Sequence, residues 1–463
     1  MTNYLMAKIT QACDASMKKK YPTSRRAPVY WWNEQIADLR LQCNRARRNY
    51  QRARRSESFT GEHAIYRAKR KELKQAIKLS KRKCFTSLCE SVQNDPWGLA
   101  YKVVTKRLKA SVRPQVLCPN KLETIIKALF PMQPSFAREI FPATMFEFPM
   151  VSTEEVLLAA KRFKDKKSPG PDAIPNRVLK LAVAANPKVF VDSFNECFKE
   201  GVFPDAWKRQ RLVLLPKTGK PPEDPSAYRP ICMLDTTGKL FERIISDRLL
   251  EAIEEKGGLS ETQFGFRKGR STVDAASLVK QLAEDAISGE RWKGGAKEYC
   301  LLVTLDVKNA FNTASWKHIN AALRRFEVPA YLRKIVDNYL ANRVLLYNTE
   351  NGVKEYKVSA GVPQGSVLGP ILWNIMYDGV LRLSLPERVK IVGFADDIAL
   401  VVVAKHLEEI ITAANSSIVQ IQAWLAETGL ELAHQKTETV LGQCYTPDIN
   451  CYRQYNNMQV SSG

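Results

Sequence analysis

The residues best placed to do chemistry are acids at the ends of apolar runs. In GFADDIALVV, residues 393–402, Asp396 and Asp397 sit between a run ending at Phe394 and one beginning at Ile398. Asp306 closes a third such run, YCLLVTLD (299–306). Adjacent aspartates alone make an ordinary turn, and a buried charge without compensation is costly. If strands 299–306 and 389–394 are neighbours, Asp306, Asp396 and Asp397 converge at one sheet edge. Three carboxylates that close repel one another unless cations hold them. A hard divalent ion binds through a few carboxylates plus substrate phosphates, and an ion pair about 3.5–4 Å apart is the clamp for in-line phosphoryl displacement. The spacing therefore predicts metal-assisted phosphoryl transfer.

Such a site needs cations for the phosphates and a frame to carry both. In RLVLLPKTGKPPEDPSAYRPICML (211–234), two strand-like runs flank a Pro-rich turn, with Lys217 and Arg229 at the strand ends. GKLFERIISDRLLEAIEE (238–255) has helical periodicity, as do 317–326 and 408–428. VKIVGFADDIALVVV (389–403) is two β-branched runs around the acidic turn. Strands interleaved with helices predict an α+β fold with a central antiparallel sheet.

The chain has 463 residues, 45% of them hydrophobic, and a formal charge of +23. That suits a globular protein with a sizeable core and a polyanionic partner. From Arg40 to Lys83 there are 16 Lys and Arg against three Glu, more than half the excess. Ile36, Leu39, Cys43, Ala46, Tyr50 and Ala53 recur at spacings of 3 and 4, a helix with a thin apolar seam and basic faces. Glu partners at i,i+4 are too few for a salt-bridged helix. Arg45, Arg47, Arg48, Arg52, Arg54 and Arg55 are thus candidate phosphate contacts. The ten cysteines lack the paired spacing of a zinc site or disulfide framework. No apolar run approaches the roughly 18–20 residues of a membrane span.

Six motifs in order resemble the reverse transcriptase of non-LTR retrotransposons over residues 160–445: SPGPDAIP (168–175), LLPKTGK with YRPI, FGFRKGRST (264–272), TLDVKNAF (304–311), AGVPQGSVLGP (360–370) and FADD (394–397). GLELAHQKTE (429–438) is similar to the next motif, with Ala433 where Asn is common. The resemblance implies a right-hand polymerase with fingers and palm. Asp306 and Asp396 would be the main metal ligands, with the Val307 carbonyl assisting and Asp397 supporting. Lys217 and Arg229 would hold the triphosphate, and Phe311 would lie under the deoxyribose and exclude a 2′-hydroxyl. Gln364 and Gly365 would meet the nucleotide, and Lys436 would protonate pyrophosphate. Mg²⁺ or Mn²⁺ would be the cofactor. RNA template, DNA primer or target and deoxynucleoside triphosphates would be the partners, in a cytoplasmic ribonucleoprotein and the nucleus, with no membrane.

On that pattern, residues 1–20 are expected to be the tail of an upstream endonuclease domain or disordered. Residues 21–110 would be a basic helical connector, 111–167 a Pro-rich linker, 168–445 fingers and palm, and 446–463 a truncated tail. Only 27 residues follow Lys436, too few for a primer grip, thumb and Cys/His knuckle, so a weakly processive fragment is expected. Two other readings share these features: an RNA-templated RNA polymerase, and a catalytically inactive nucleic-acid-binding remnant. Bulky Phe311 argues against the first, and the intact acids and cations against the second.

Overall fold

The structure is a computed structural model. It describes residues 2–16, 29, 31–53, 59–90, 119–141, 147–165, 167–217, 219–287, 298–442 and 452–454, with 119–120 and 452–454 as backbone only. The chain forms two compact units, residues 18–114 and the remainder.

The smaller unit is a pair of helices, α2 (Glu34–Arg52) and α3 (Phe59–Glu90). Asn33 starts α2, its side chain accepting the Ile36 N–H at 2.9 Å, the usual N-cap device. Ile36, Cys43, Ala46 and Ala53 are buried, as the apolar seam predicts. Tyr50 stacks on Tyr66 at 5.8 Å, and Lys81 lies over the Trp31 ring at 4.8 Å. Arg45, Arg47, Arg48 and Arg52 are exposed. Arg54 and Arg55 lie outside the described residues.

The larger unit begins with α1 (Thr2–Ser16), whose Leu5 and Ile9 are buried in the main core. Residues 1–20 were expected to be an upstream tail or disordered. The second alternative is corrected for 2–16, because Leu5 and Ile9, four apart, share one helix face. Helices α4 (Pro119–Leu129) and α5 (Thr153–Lys161) likewise stand where a Pro-rich linker was expected. Next come α6 (Asn176–Ala185), α7 (Pro187–Glu200) and the single turn α8 (Asp205–Lys208).

The expected hairpin is β1 (Arg209–Pro216) with β2 (Tyr228–Met233). It belongs to a four-stranded sheet, β2-β1-β4-β5, with β4 (Val344–Thr349) parallel to β1 and β5 (Gly352–Lys357) on the edge. Ile125, Ile126 and Leu129 of α4 pack on its Leu212, Tyr228, Leu345 and Tyr347.

The second sheet is entirely antiparallel: β6 (Val389–Phe394), β7 (Asp397–Ala404), β3 (Tyr299–Asp306), β8 (Glu438–Gly442) and β9 (Tyr452–Gln454), in that order. Strands 299–306 and 389–394 share this sheet but are not direct neighbours. β7 lies between them, because the two-residue turn folds β7 back on β6 and offers its other edge to β3. Alternate residues face opposite sides. Leu301, Val303 and Leu305 join the main core with α14 (Leu368–Leu381) and α15 (Leu407–Glu427). On the opposite face Cys300 and Leu302 pack with α10 (Thr272–Ile287). The remaining helices are α9 (Thr236–Glu254), the turn α11 (Ala310–Thr313), α12 (Trp316–Arg325) and α13 (Ala330–Leu340). No helix among the described residues is long and apolar enough to cross a membrane.

Candidate active site

The acids are assembled by strand register. Asp306, last in β3, pairs directly with Asp397, first in β7. Phe394 pairs with Asp397 across the hairpin, so Ala395 and Asp396 form a two-residue turn. Ala395 has φ +60°, in the left-handed region that short hairpins use. This strained turn is fixed from behind by α14. Trp373 Nε1 donates to the Ala395 carbonyl at 3.0 Å and the Tyr377 hydroxyl to the Asp396 carbonyl at 3.3 Å. From the side, a Cβ on Gly265 would stand 2.0 Å from the Ala395 nitrogen, so only glycine lets the two backbones meet.

Charge accumulates at this edge. Burial pushes the Asp396 carboxyl above its usual range, and Asp306 pushes it further. Asp397 is raised by burial and by the charges of Asp396 and Asp306. Lys436 opposes both shifts. Its Nζ lies 2.6 Å from Asp306 Oδ2. Lys436 occupies a short 3₁₀ turn, His434–Lys436, just before β8. The stretch before that turn is tied to the end of β3: the Lys308 N–H donates to Glu431 O and the Ala433 N–H to Asp306 O, each at 2.8 Å. Val307 pairs with Leu432 in this ladder. Both bonds are made by Val307's neighbours, which leaves its own carbonyl outside that side of the ladder.

The expected cations lie on the hairpin. Lys217 follows β1, its N–H donating to Ala227 O at 2.6 Å. Arg229 is exposed on β2, opposite Leu215. Burial lowers the Lys217 ammonium pKa; Lys220, Lys436 and Arg229 lower it further, and Asp306 works the other way. Lys217 thus feels both the basic hairpin and the acid edge. Lys220, which sequence reasoning passed over, belongs to the same group.

Loop 360–367 joins hairpin and acids. Gln364 accepts the Cys232 N–H through its backbone carbonyl at 2.8 Å. Gly365 has φ +127°, and a Cβ there would stand 2.5 Å from the Cys232 carbonyl oxygen. Phe311 lies on α11, and its carbonyl accepts the Val362 N–H at 2.7 Å. Its ring stacks on Trp373 at 5.5 Å. Behind the loop, buried Glu242 of α9 accepts the Val367 and Leu368 N–H groups at 2.6 and 3.2 Å. It caps the start of α14, where the helix dipole favours an anion. Sequence reasoning missed Glu242, because nothing local distinguishes an acid inside an otherwise ordinary amphipathic helix.

Among the described residues no three His, Cys, Asp or Glu side chains form a ready metal cage. The donor set still fits a divalent ion of the Mg²⁺ type, which takes one or two carboxylates and completes its shell with water and substrate phosphate. Asp306 already holds one cation, the Lys436 ammonium. A groove of 1510 Å³ between α10 and the sheet reaches Asp306, Asp397 and Lys436. The structure thus brings together Asp306, Asp396, Asp397, Lys436 and Lys217, with Arg229, Phe311, Gln364 and Gly365 on the elements bound to them. The candidate arginines of α2 belong to the other unit.

Residues 215–459 match the family described as reverse transcriptase (RNA-dependent DNA polymerase). The chain is 29% identical over 398 residues to the retrovirus-related Pol polyprotein from type-1 retrotransposable element R1 of Bradysia coprophila, covering 82% of this chain and 38% of that protein. It is 28% identical over 447 residues to a putative 115 kDa protein in element R1DM of Drosophila melanogaster, covering 94% and 42%. A probable RNA-directed DNA polymerase from transposon BS of the same fly is 31% identical over 304 residues, covering 64% and 32%. The chain thus spans about two fifths of the length of the first two relatives.

Proposed function

The chain belongs to the reverse transcriptase family, and we propose that it copies an RNA template into DNA by extending a primer with deoxynucleoside triphosphates. The observation that carries this reading is the register pair Asp306 and Asp397 beside the Asp396 turn, facing a basic hairpin across one loop. Acids that repel one another beside cations that together lower the Lys217 pKa are the two halves of a nucleotidyl-transfer site.

Asp306 and Asp396 hold the cofactor, with the Val307 carbonyl and Asp397 in support. Mg²⁺, or Mn²⁺ in its place, supplies the positive charge that offsets these acids and the phosphates when bound. Lys217 and Arg229 receive the triphosphate, where negative charge grows as pyrophosphate departs. Gly365 lets the backbone approach the nucleotide beside Gln364. The Phe311 ring occupies the space a 2′-hydroxyl would need. The primer 3′-hydroxyl loses its proton to water as its oxygen bonds the α-phosphorus and the bond from that phosphorus to the bridging β-phosphate oxygen breaks. Lys436, released from Asp306, gives its proton to the leaving pyrophosphate. Copying RNA into DNA, the proposed activity, would take it with its RNA through the cytoplasm and to DNA in the nucleus.

The test is primer extension on an RNA template with each nucleotide type and Mg²⁺. Deoxynucleotide products are expected from the wild type. None are expected from Asp396→Asn, which removes a buried repelling charge and should unfold at or above the wild-type temperature, nor from Asp306→Asn, which removes that repulsion together with the Lys436 ion pair and should unfold near it. A fully active Asp396→Asn protein would refute the mechanism.

A further inference from the structure

Phe266 combines two properties that rarely coincide in a folded chain. Its backbone is left-handed, φ +56°, where a bulky side chain is a genuine outlier. Its side chain is largely outside the core, with the residue 56% exposed. Folding gains little from an exposed phenylalanine in a strained conformation. Such strain persists only where neighbours over-determine it, and it clusters at functional sites.

The neighbours here are the catalytic turn and its supports. Gly265 is pressed against Ala395, and its carbonyl accepts from Asn374 Nδ2 at 2.9 Å. The Phe264 N–H donates to Gly393 O at 2.8 Å. On the other side Arg267 Nη1 donates to Ser260 O at 2.7 Å. Held at both ends, the chain has to turn Phe266 outward, toward Phe311.

The Phe266 ring meets Phe311 edge to face, centroids 5.5 Å apart at 74°. On its other side Phe311 stacks on Trp373 at 19°, and Trp373 is pinned to the Ala395 carbonyl. Phe311 therefore has a fixed wall on one side, and the Phe266 ring meets it on another.

We propose that Phe266 is a specificity-determining residue: it braces Phe311 against the edge from which that ring would otherwise tilt away, and so sets how strictly the site refuses a 2′-hydroxyl. This rests on the polymerase reading and on Phe311 as the residue under the sugar.

The experiment measures kcat/KM for one deoxynucleotide and its ribonucleotide counterpart on the full chain with an RNA template. Phe266→Ala is expected to raise relative ribonucleotide use about tenfold, the scale on which a loosened apolar wall discriminates. Phe266→Leu should keep most of the selectivity. Phe266→Gly relieves the left-handed backbone, so it should unfold no earlier than wild type yet select as poorly as Phe266→Ala. Added to Phe311→Val, Phe266→Ala should change nothing further, since coupled residues are not additive. If Phe311→Val relaxes selection and Phe266→Ala does not, or if Phe266→Ala weakens both nucleotides equally, the brace is overturned while the polymerase reading stands. If Phe311→Val leaves selection unchanged, the role of Phe311 falls and the brace with it. A wild type that extends no primer overturns the polymerase reading itself.

Discussion

Lys436 Nζ rests 2.6 Å from Asp306 Oδ2, so the residue assigned to protonate the leaving group is also the counter-ion of a carboxylate assigned to the cofactor. On the proposed mechanism Asp306 would have to give up Lys436 in order to hold the cofactor, and the freed ammonium would be available to the pyrophosphate.

Lys436→Met should therefore separate two quantities. With no ammonium competing for Asp306, the Mg²⁺ concentration for half-maximal extension should fall severalfold. The saturating rate should fall at least about tenfold, because general-acid help is typically worth more than that. Lys436→Arg keeps the charge but holds its proton too tightly to give it up, so its rate should drop while its metal requirement stays put. A saturating rate unchanged in Lys436→Met rules out the proton-donor role.

A second carboxyl pair, Asp172 and Asp235, should make stability depend on pH. The Asp172 N–H donates to Asp235 Oδ1 at 2.9 Å, and a Cβ on Gly170 would stand 2.3 Å from the Leu234 carbonyl. Loop 168–175 is thereby latched to the segment between β2 and α9. Burial, then the Asp235 charge, push the Asp172 carboxyl up to about 7. The unfolded chain releases that proton near pH ~3.9, so the folded state binds it more tightly. The stabilisation is complete below that value and lost as pH rises through about 7. The contribution of this pair to thermal stability should fall between about pH 4 and about pH 7 and level off above that. Asp172→Asn, which supplies an N–H permanently, should flatten the curve and lie above wild type at the alkaline end. Parallel curves would dismiss the latch.

The parts of this molecule legible in its sequence are those whose physics is local. The β-branched runs of β3, β6 and β7 and the acids at their ends read directly. Their order did not, because a run of Val and Ile is the same run whether it lies at a sheet's centre or edge. α4 was hidden by the prolines around it, although Pro119 at its first position is a common helix start and Ile125, Ile126 and Leu129 share a face. β5 was not visible because GVKEYK lies exposed on an edge and lacks apolar alternation. Glu242 reaches Val367 across 125 positions, and no local pattern encodes such a contact. Phe266 lies inside FGFRKGRST, yet its meaning comes from a backbone angle that only the fold displays.

The basic faces of α2 offer the last prediction. Arg45, Arg47, Arg48 and Arg52 are exposed, while the helix is held by Ile36, Cys43 and Ala46 on its buried side. Replacing the four arginines by alanine leaves the seam intact and, if anything, favours the helix. If each neutralises a phosphate, template affinity should lose about 0.7–0.9 of logarithmic salt slope per contact, so the plot of log affinity against log salt should be shallower by about three. Affinity should fall most at low salt and converge with wild type as salt rises, because counter-ion release is the term removed. Equal slopes for the two proteins would show that this helix does not touch nucleic acid and that its charge serves solvation alone.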